Sequence, residues 1–203
     1  MRHDPLDELF DQIERMLAPV RVPIPLQFFR TFEDRPFETC DFCAKGLGEA
    51  GSQYMIVKDY SGGELRQEVS LCSETLDGLR SCYSQESLRS METWYSPELI
   101  ASRRAFVRSI QNDLPRWLTE NCLFCSRPKR ELNGFFEYAL CEGSELVCLV
   151  YPSMQCGDCT LKVVNSLSTQ TLDMRRRFFR EHFGPPPDVS LGVWAEANLS
   201  ALR

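Results

Sequence analysis

Between residues 4 and 17 the apolar side chains Leu6, Leu9, Phe10, Ile13 and Leu17 recur at spacings of three and four, with Asp4, Asp7, Glu8, Asp11 and Glu14 between them. That period predicts a short amphipathic helix, and acidic residues in its first turn suit the helix dipole. Pro19, Pro23 and Pro25 then forbid continuation, and an extended arm is expected up to about Phe37. Short β-rich runs follow at 54–57 and 65–71, separated by Gly62-Gly63, and a helical stretch is expected from Cys72 to Tyr95. The pattern then returns. Runs at 135–141 and 146–151 flank a turn at Gly143, and a second helical stretch should run from Cys156 to about Phe183. Between the two passes, Leu99, Phe106, Ile110 and Leu114 mark one side of a connecting helix over 97–117. In the last helix Val164, Leu167, Met174 and Phe178 make one stripe, with Arg176, Arg177 and Arg180 largely opposite it. Gly184-Pro185-Pro186-Pro187 is a hard stop, and a tail closes the chain.

The cysteines give this repetition its chemistry. An offset of 82 carries Cys40 and Cys43 onto Cys122 and Cys125; an offset of 84 carries Cys72 onto Cys156, Leu88 onto Leu172, and Trp94-Tyr95 onto Phe178-Phe179. Internal duplication follows from that superposition. The expected fold is therefore α+β: two repeated units of cysteine knuckle, β-hairpin and α-helix, with an N-terminal amphipathic helix and a helical connector. The expected boundaries are 1–37 for the helix and Pro-rich arm, 38–96 for the first unit, 97–117 for the connector, 118–187 for the second unit and 188–203 for the tail.

Cys122-x2-Cys125 and Cys156-x2-Cys159, thirty residues apart, supply the four thiolates of a closed tetrahedral zinc site. The two-residue spacing lets both sulfurs of a pair reach one ion, and the helix start at Cys156 favours thiolate. The first unit offers only Cys40, Cys43 and Cys72, because Thr75 stands where a fourth ligand is expected and Cys82 lies about 15 Å further along a helix. A three-thiolate zinc completed from elsewhere and a metal-free relic both fit there, the relic slightly better. One structural zinc is thus expected in the second unit. Buried apolar thiols and disulfides are the competing readings; Cys141 and Cys148, on opposite runs of the second hairpin, are read as buried thiols.

The order of knuckle, hairpin and helix resembles the treble-clef class of zinc finger, over about 60 residues per unit and on the strength of these cysteines. Phe37-Glu38-Thr39-Cys40 and Phe179-Arg180-Glu181-His182-Phe183-Gly184-Pro185-Pro186 are similar to phrases in a group of uncharacterised bacterial proteins with two such units. The resemblance implies a fold and says nothing of an activity.

Composition bounds what remains. A chain of 203 residues with 43 % apolar and 26 % charged residues can build a real core, and no window approaches 18 consecutive apolar residues. The acidic start, without an apolar run after it, is expected of a cytoplasmic protein. The net charge of −6 makes a general nucleic-acid binder unfavourable, although a local face of Arg176, Arg177 and Arg180, extended by Arg127, Lys129 and Arg130, offers that alternative. A second alternative is thiol–disulfide exchange by Cys156 and Cys159 at a helix start, against which stands the lack of a βαβ context. With only His3 and His182, a zinc-finger-like nuclease is not expected. The favoured expectation is a noncatalytic interaction or adaptor protein, with a protein partner and no membrane.

Overall fold

The computed structural model describes residues 19–49, 51–109 and 114–183. The expected N-terminal helix, the Gly-Pro stop and the tail lie outside those residues. The described part is α+β, as expected, and is organised on one six-stranded antiparallel sheet.

Two long hairpin strands, β2 (Gln53–Ser61) and β3 (Glu64–Cys72), turn at Gly62 and Gly63, both in the left-handed region that a residue with a Cβ enters only at a cost. In the second half β4 (Gly134–Glu142) turns at Gly143 into β5 (Glu145–Cys148), and β6 (Ser153–Cys156) returns to the start of β4. The run expected at 146–151 is therefore split: β5 ends at Cys148 and pairing with β4 resumes only at Ser153. The hairpins join through β2 and β4, which pair antiparallel over their full lengths, from Gln53 opposite Glu142 to Ser61 opposite Gly134. The arm is less detached than its prolines suggest. Its β1 (Val20–Pro23) adds to β5 with Val20 opposite Cys148, so a segment that precedes both hairpins closes one edge of the sheet.

Side chains alternate across the sheet and create two cores. Met55, Val57, Val69, Leu71, Phe136 and Tyr138 face the helical layer, where α1 (Ser73–Ser81) contributes Leu76 and Leu79, and α6 (Thr169–Phe183) contributes Phe179. Tyr54, Ile56, Ala139, Cys141, Leu146 and Cys148 face the other way, against Phe28, Phe37 and Leu47 and against Val107 and Leu118 of the connector. In the connector, helices are described at α3 (Pro97–Ser109) and α4 (Leu114–Thr119), and residues 110–113 between them lie outside the described residues. Val107 is buried and Phe106 is exposed, which turns the packed side one residue away from the expected stripe. Arg103 is half-buried: its guanidinium donates to the carbonyls of Leu118 and Pro152, and burial brings its pKa down to about 10.

Both long helical stretches are broken in two. After α1 the chain bends at Tyr83 and restarts at α2 (Gln85–Trp94), capped by the Ser84 hydroxyl, which accepts from the Ser87 N–H. Likewise α5 (Gly157–Asn165) precedes α6, and the Ser168 hydroxyl accepts from the Thr171 N–H. The caps also bond across: Ser84 N–H donates to Thr171 Oγ1 at 2.9 Å, Ser168 N–H to Ser87 Oγ at 2.8 Å, and the Ser84 and Ser168 hydroxyls are 2.8 Å apart. Each half thus satisfies helix-start donors of the other.

One charged row lies buried in the sheet. Lys58 is 1 % exposed; its ammonium donates to Thr31 Oγ1 at 2.9 Å and to the Phe29 carbonyl, and faces the Glu68 carboxylate at 3.1 Å. Lys58→Ala should cost about 3 kcal/mol, because it leaves the Glu68 carboxylate, only 11 % exposed, with the Thr31 N–H and hydroxyl but without its cation. Arg66→Ala, whose pair with Glu64 is exposed, should cost less than about 1 kcal/mol. Equilibrium urea unfolding of both variants checks the contrast.

Candidate metal centre

Each half builds its cysteine pair from one local turn. Cys40 N–H donates to the Lys45 carbonyl and the Ala44 N–H returns to the Cys40 carbonyl; Cys122 N–H donates to the Arg127 carbonyl and the Ser126 N–H returns to the Cys122 carbonyl. Ala44 and Ser126 both take φ +58°. That left-handed step is uncommon for residues with a Cβ. N–H groups also point at the first sulfur of each pair: Phe42 and Cys72 onto Cys40 Sγ, and Cys156 onto Cys122 Sγ, all at 3.4 Å. The remaining positions come from the end of a strand. Cys72 closes β3 and caps α1, while Cys156 closes β6 and caps α5, so Thr75 and Cys159 fall in the first helical turns.

The Sγ atoms of Cys122, Cys125, Cys156 and Cys159 all lie within 4.8 Å of one another, as do those of Cys40, Cys43 and Cys72. Both groups could hold a metal ion. Cys125 and Cys156 are 3.7 Å apart, beside an edge of about 3.8 Å for a sulfur tetrahedron with metal–sulfur bonds of about 2.3 Å. All ten cysteines are free, so the disulfide reading falls. Cys141 and Cys148 are buried thiols, with Cys141 opposite Leu146 in the ladder, and burial pushes both up to about 12. Cys82 stands apart, its sulfur against the Gly78 carbonyl.

Charge around the two groups follows one plan. Burial opposes the Cys125 thiolate, but the Arg127 backbone N–H and guanidinium and the neighbouring thiols outweigh it and bring the thiol down to about 6. Arg127 also donates to Cys156 Sγ at 3.2 Å and pairs with Asp158. At the first site Lys45 occupies the corresponding position and pairs with Glu74. Sequence reading assigned Arg127 to a nucleic-acid face and passed over Lys45; the shared offsets of 82 for the cations and 84 for the acids were the available signal. Thr75 stands at the position expected of a fourth ligand, its hydroxyl 3.5 Å from Cys40 Sγ and 3.4 Å from Cys72 Sγ.

The other candidates separate from this site. Arg176, Arg177 and Arg180 are exposed on α6, with Arg176 beside Asp173 and Arg177 beside Glu181. Met174 is exposed as well, and Arg175 takes the buried position, donating to Tyr83 OH at 2.6 Å; the packed face is rotated from the expected stripe. Lys129 does not extend an arginine face, since it pairs with the buried Glu137 and lies over the rings of Tyr60 and Phe135. For thiol exchange, Cys156 and Cys159 are only 1 % and 5 % exposed, whereas reactive thiols need access. Among the described residues no helix is long and apolar enough to cross a membrane.

No protein-family model, curated protein or solved structure matches the chain. Arg127→Ala should weaken metal retention by the second group roughly 10- to 100-fold, as loss of an outer-shell partner does, without altering the metal-to-protein ratio at saturation. Competition with a chromophoric chelator measures both quantities.

Proposed function

We propose that this protein is a noncatalytic adaptor, made by tandem duplication of a treble-clef-like unit, in which zinc at Cys122, Cys125, Cys156 and Cys159 is structural. The observation that carries the reading is the convergence of four sulfurs from a knuckle and a helix start, separated in sequence by a hairpin. Four thiolates fill a tetrahedral ion and leave no position for a substrate, which is the arrangement of a structural site. Soft sulfur donors in that number suit zinc. Free thiols throughout the chain agree with a reducing cytoplasmic setting.

Duplication, with units near 38–96 and 118–187, is supported by reciprocity. Positions related by the offsets do not merely look alike; they exchange partners. Phe42 of the first knuckle packs on Phe178 and Phe179 of α6, while Phe124 of the second packs on Trp94 and Tyr95 at the end of α2. The serine caps exchange hydrogen bonds in the same sense, and β2 pairs with its counterpart β4. Such exchange is what a two-fold arrangement of like units generates.

In zinc-finger peptides the ion contributes roughly 10–16 kcal/mol of folding free energy. Chelation of the purified chain should therefore abolish its cooperative thermal transition, followed by near-UV circular dichroism. An unchanged melting curve in protein shown to be metal-free refutes the structural role. Binding of a labelled DNA or RNA duplex at low ionic strength, lost steeply with salt, would move the function to the Arg176, Arg177 and Arg180 face; the adaptor reading expects no such binding.

A further inference from the structure

The first cysteine group is built with the same turn as the second and differs at one corner. Cys40, Cys43 and Cys72 converge, with Cys43 and Cys72 sulfurs 3.5 Å apart. The knuckle closes through the same hydrogen bonds and the same left-handed step, and Lys45, paired with Glu74, takes the place in the turn that Arg127 takes at the other group; its charge is felt by Cys43 and Cys72. In the fourth corner the Thr75 hydroxyl lies 3.5, 3.4 and 4.0 Å from the sulfurs of Cys40, Cys72 and Cys43.

We propose that this group is an open soft-metal site, which binds a thiophilic divalent cation of the zinc class exchangeably through Cys40, Cys43 and Cys72 and leaves the Thr75 corner to a weak oxygen donor. The proposal rests on the reading of the cysteines as metal ligands and adds that the two sites differ in kind, one closed and permanent, the other labile.

Three features of the chain carry it. A hydroxyl is a harder and less basic donor than a thiolate, so a soft cation gains little from it and keeps an exchangeable position. Cys43 is exposed, as Cys125 is at the other group, so an ion at either group has a path to solvent, and only the first group lacks a fourth thiolate to hold the ion against that exchange. Charge agrees as well: a divalent ion leaves two surplus negative charges on a four-thiolate shell and one on a three-thiolate shell. The guanidinium of Arg127 bonds directly to a sulfur in the four-thiolate group, and at the three-thiolate group the Lys45 ammonium pairs with Glu74. A relic kept only as apolar packing has no need of N–H groups directed at a sulfur or of a cation beside it. The knuckle is also placed to transmit occupancy, because Phe42 stacks on Phe178 at 5.2 Å and so touches a helix of the other half.

The test is cobalt(II) titration of the demetallated full chain, read by the thiolate charge-transfer absorption, with zinc competition. Two phases are expected. Since loss of an outer-shell partner alone costs roughly 10- to 100-fold, loss of a thiolate should separate the phases by more than about 100-fold. Cys43→Ser, at an exposed position, should remove the weak phase and leave the tight one. Thr75→Cys should convert the weak phase into a second tight one, raising retained zinc after dialysis from one to two per chain. A tight phase alone in the wild type, with Thr75→Cys still retaining one zinc, overturns this inference and leaves the structural site standing. Absence of both phases overturns the metal reading itself. Should Thr75→Cys fail to fold, the Cys43→Ser comparison decides: a weak phase that survives it refutes the assignment.

Discussion

Four sulfurs held within 4.8 Å of one another are a stable arrangement only if something neutralises them. As thiolates they repel, and as thiols they bury weak hydrogen-bonding groups where apolar methyls would pack better. An ion at their centre, as proposed, would turn mutual repulsion into a strong tie in the second half of the molecule. It would join the turn at Cys122 and Cys125 to the first turn of α5, and so pin β4 to β6, which lie between those points, to one end of the sheet. Arg127 completes the arrangement by bringing positive charge to the rim, where it meets both Cys156 and Asp158.

The rest of the fold is organised by exchange between halves. β2 and β4 share the longest ladder, the caps at Ser84 and Ser168 trade hydrogen bonds, and each knuckle phenylalanine packs on the closing aromatics of the opposite half. Neither half buries its own apolar surface alone. Loosening either cysteine group therefore acts on both halves, through Phe42 against α6 in one direction and Phe124 against α2 in the other. The sequence differences between the sites, Thr75 for Cys159 and Lys45 for Arg127, lie at the points where an otherwise shared plan can give two behaviours.

Legibility from sequence followed the range of the interaction. Cysteine spacing, glycine turns and alternating runs are short-range signals, and with them the two cysteine groups, the hairpins and the α+β class were within reach. Thr75 was located for the same reason, three residues after Cys72. What failed depended on distant partners. Arg175 looks like part of a basic run, yet it is buried because Tyr83 waits 92 residues earlier. The breaks at Ser84 and Ser168 were signalled only by capping residues with modest local preference, and they are fixed by each other. β1 is four residues of arm whose pairing with β5 no local pattern announces. Ala44 and Ser126 hide the knuckle's left-handed step, since neither is the glycine or asparagine that would advertise it.

The central claim concerns what surrounds the ion, so zinc K-edge X-ray absorption on dialysed full-length protein tests it most directly. The account predicts a first shell of sulfur alone, at about 2.3 Å. A shell dominated by nitrogen or oxygen, or folded protein with no edge at all, would contradict it.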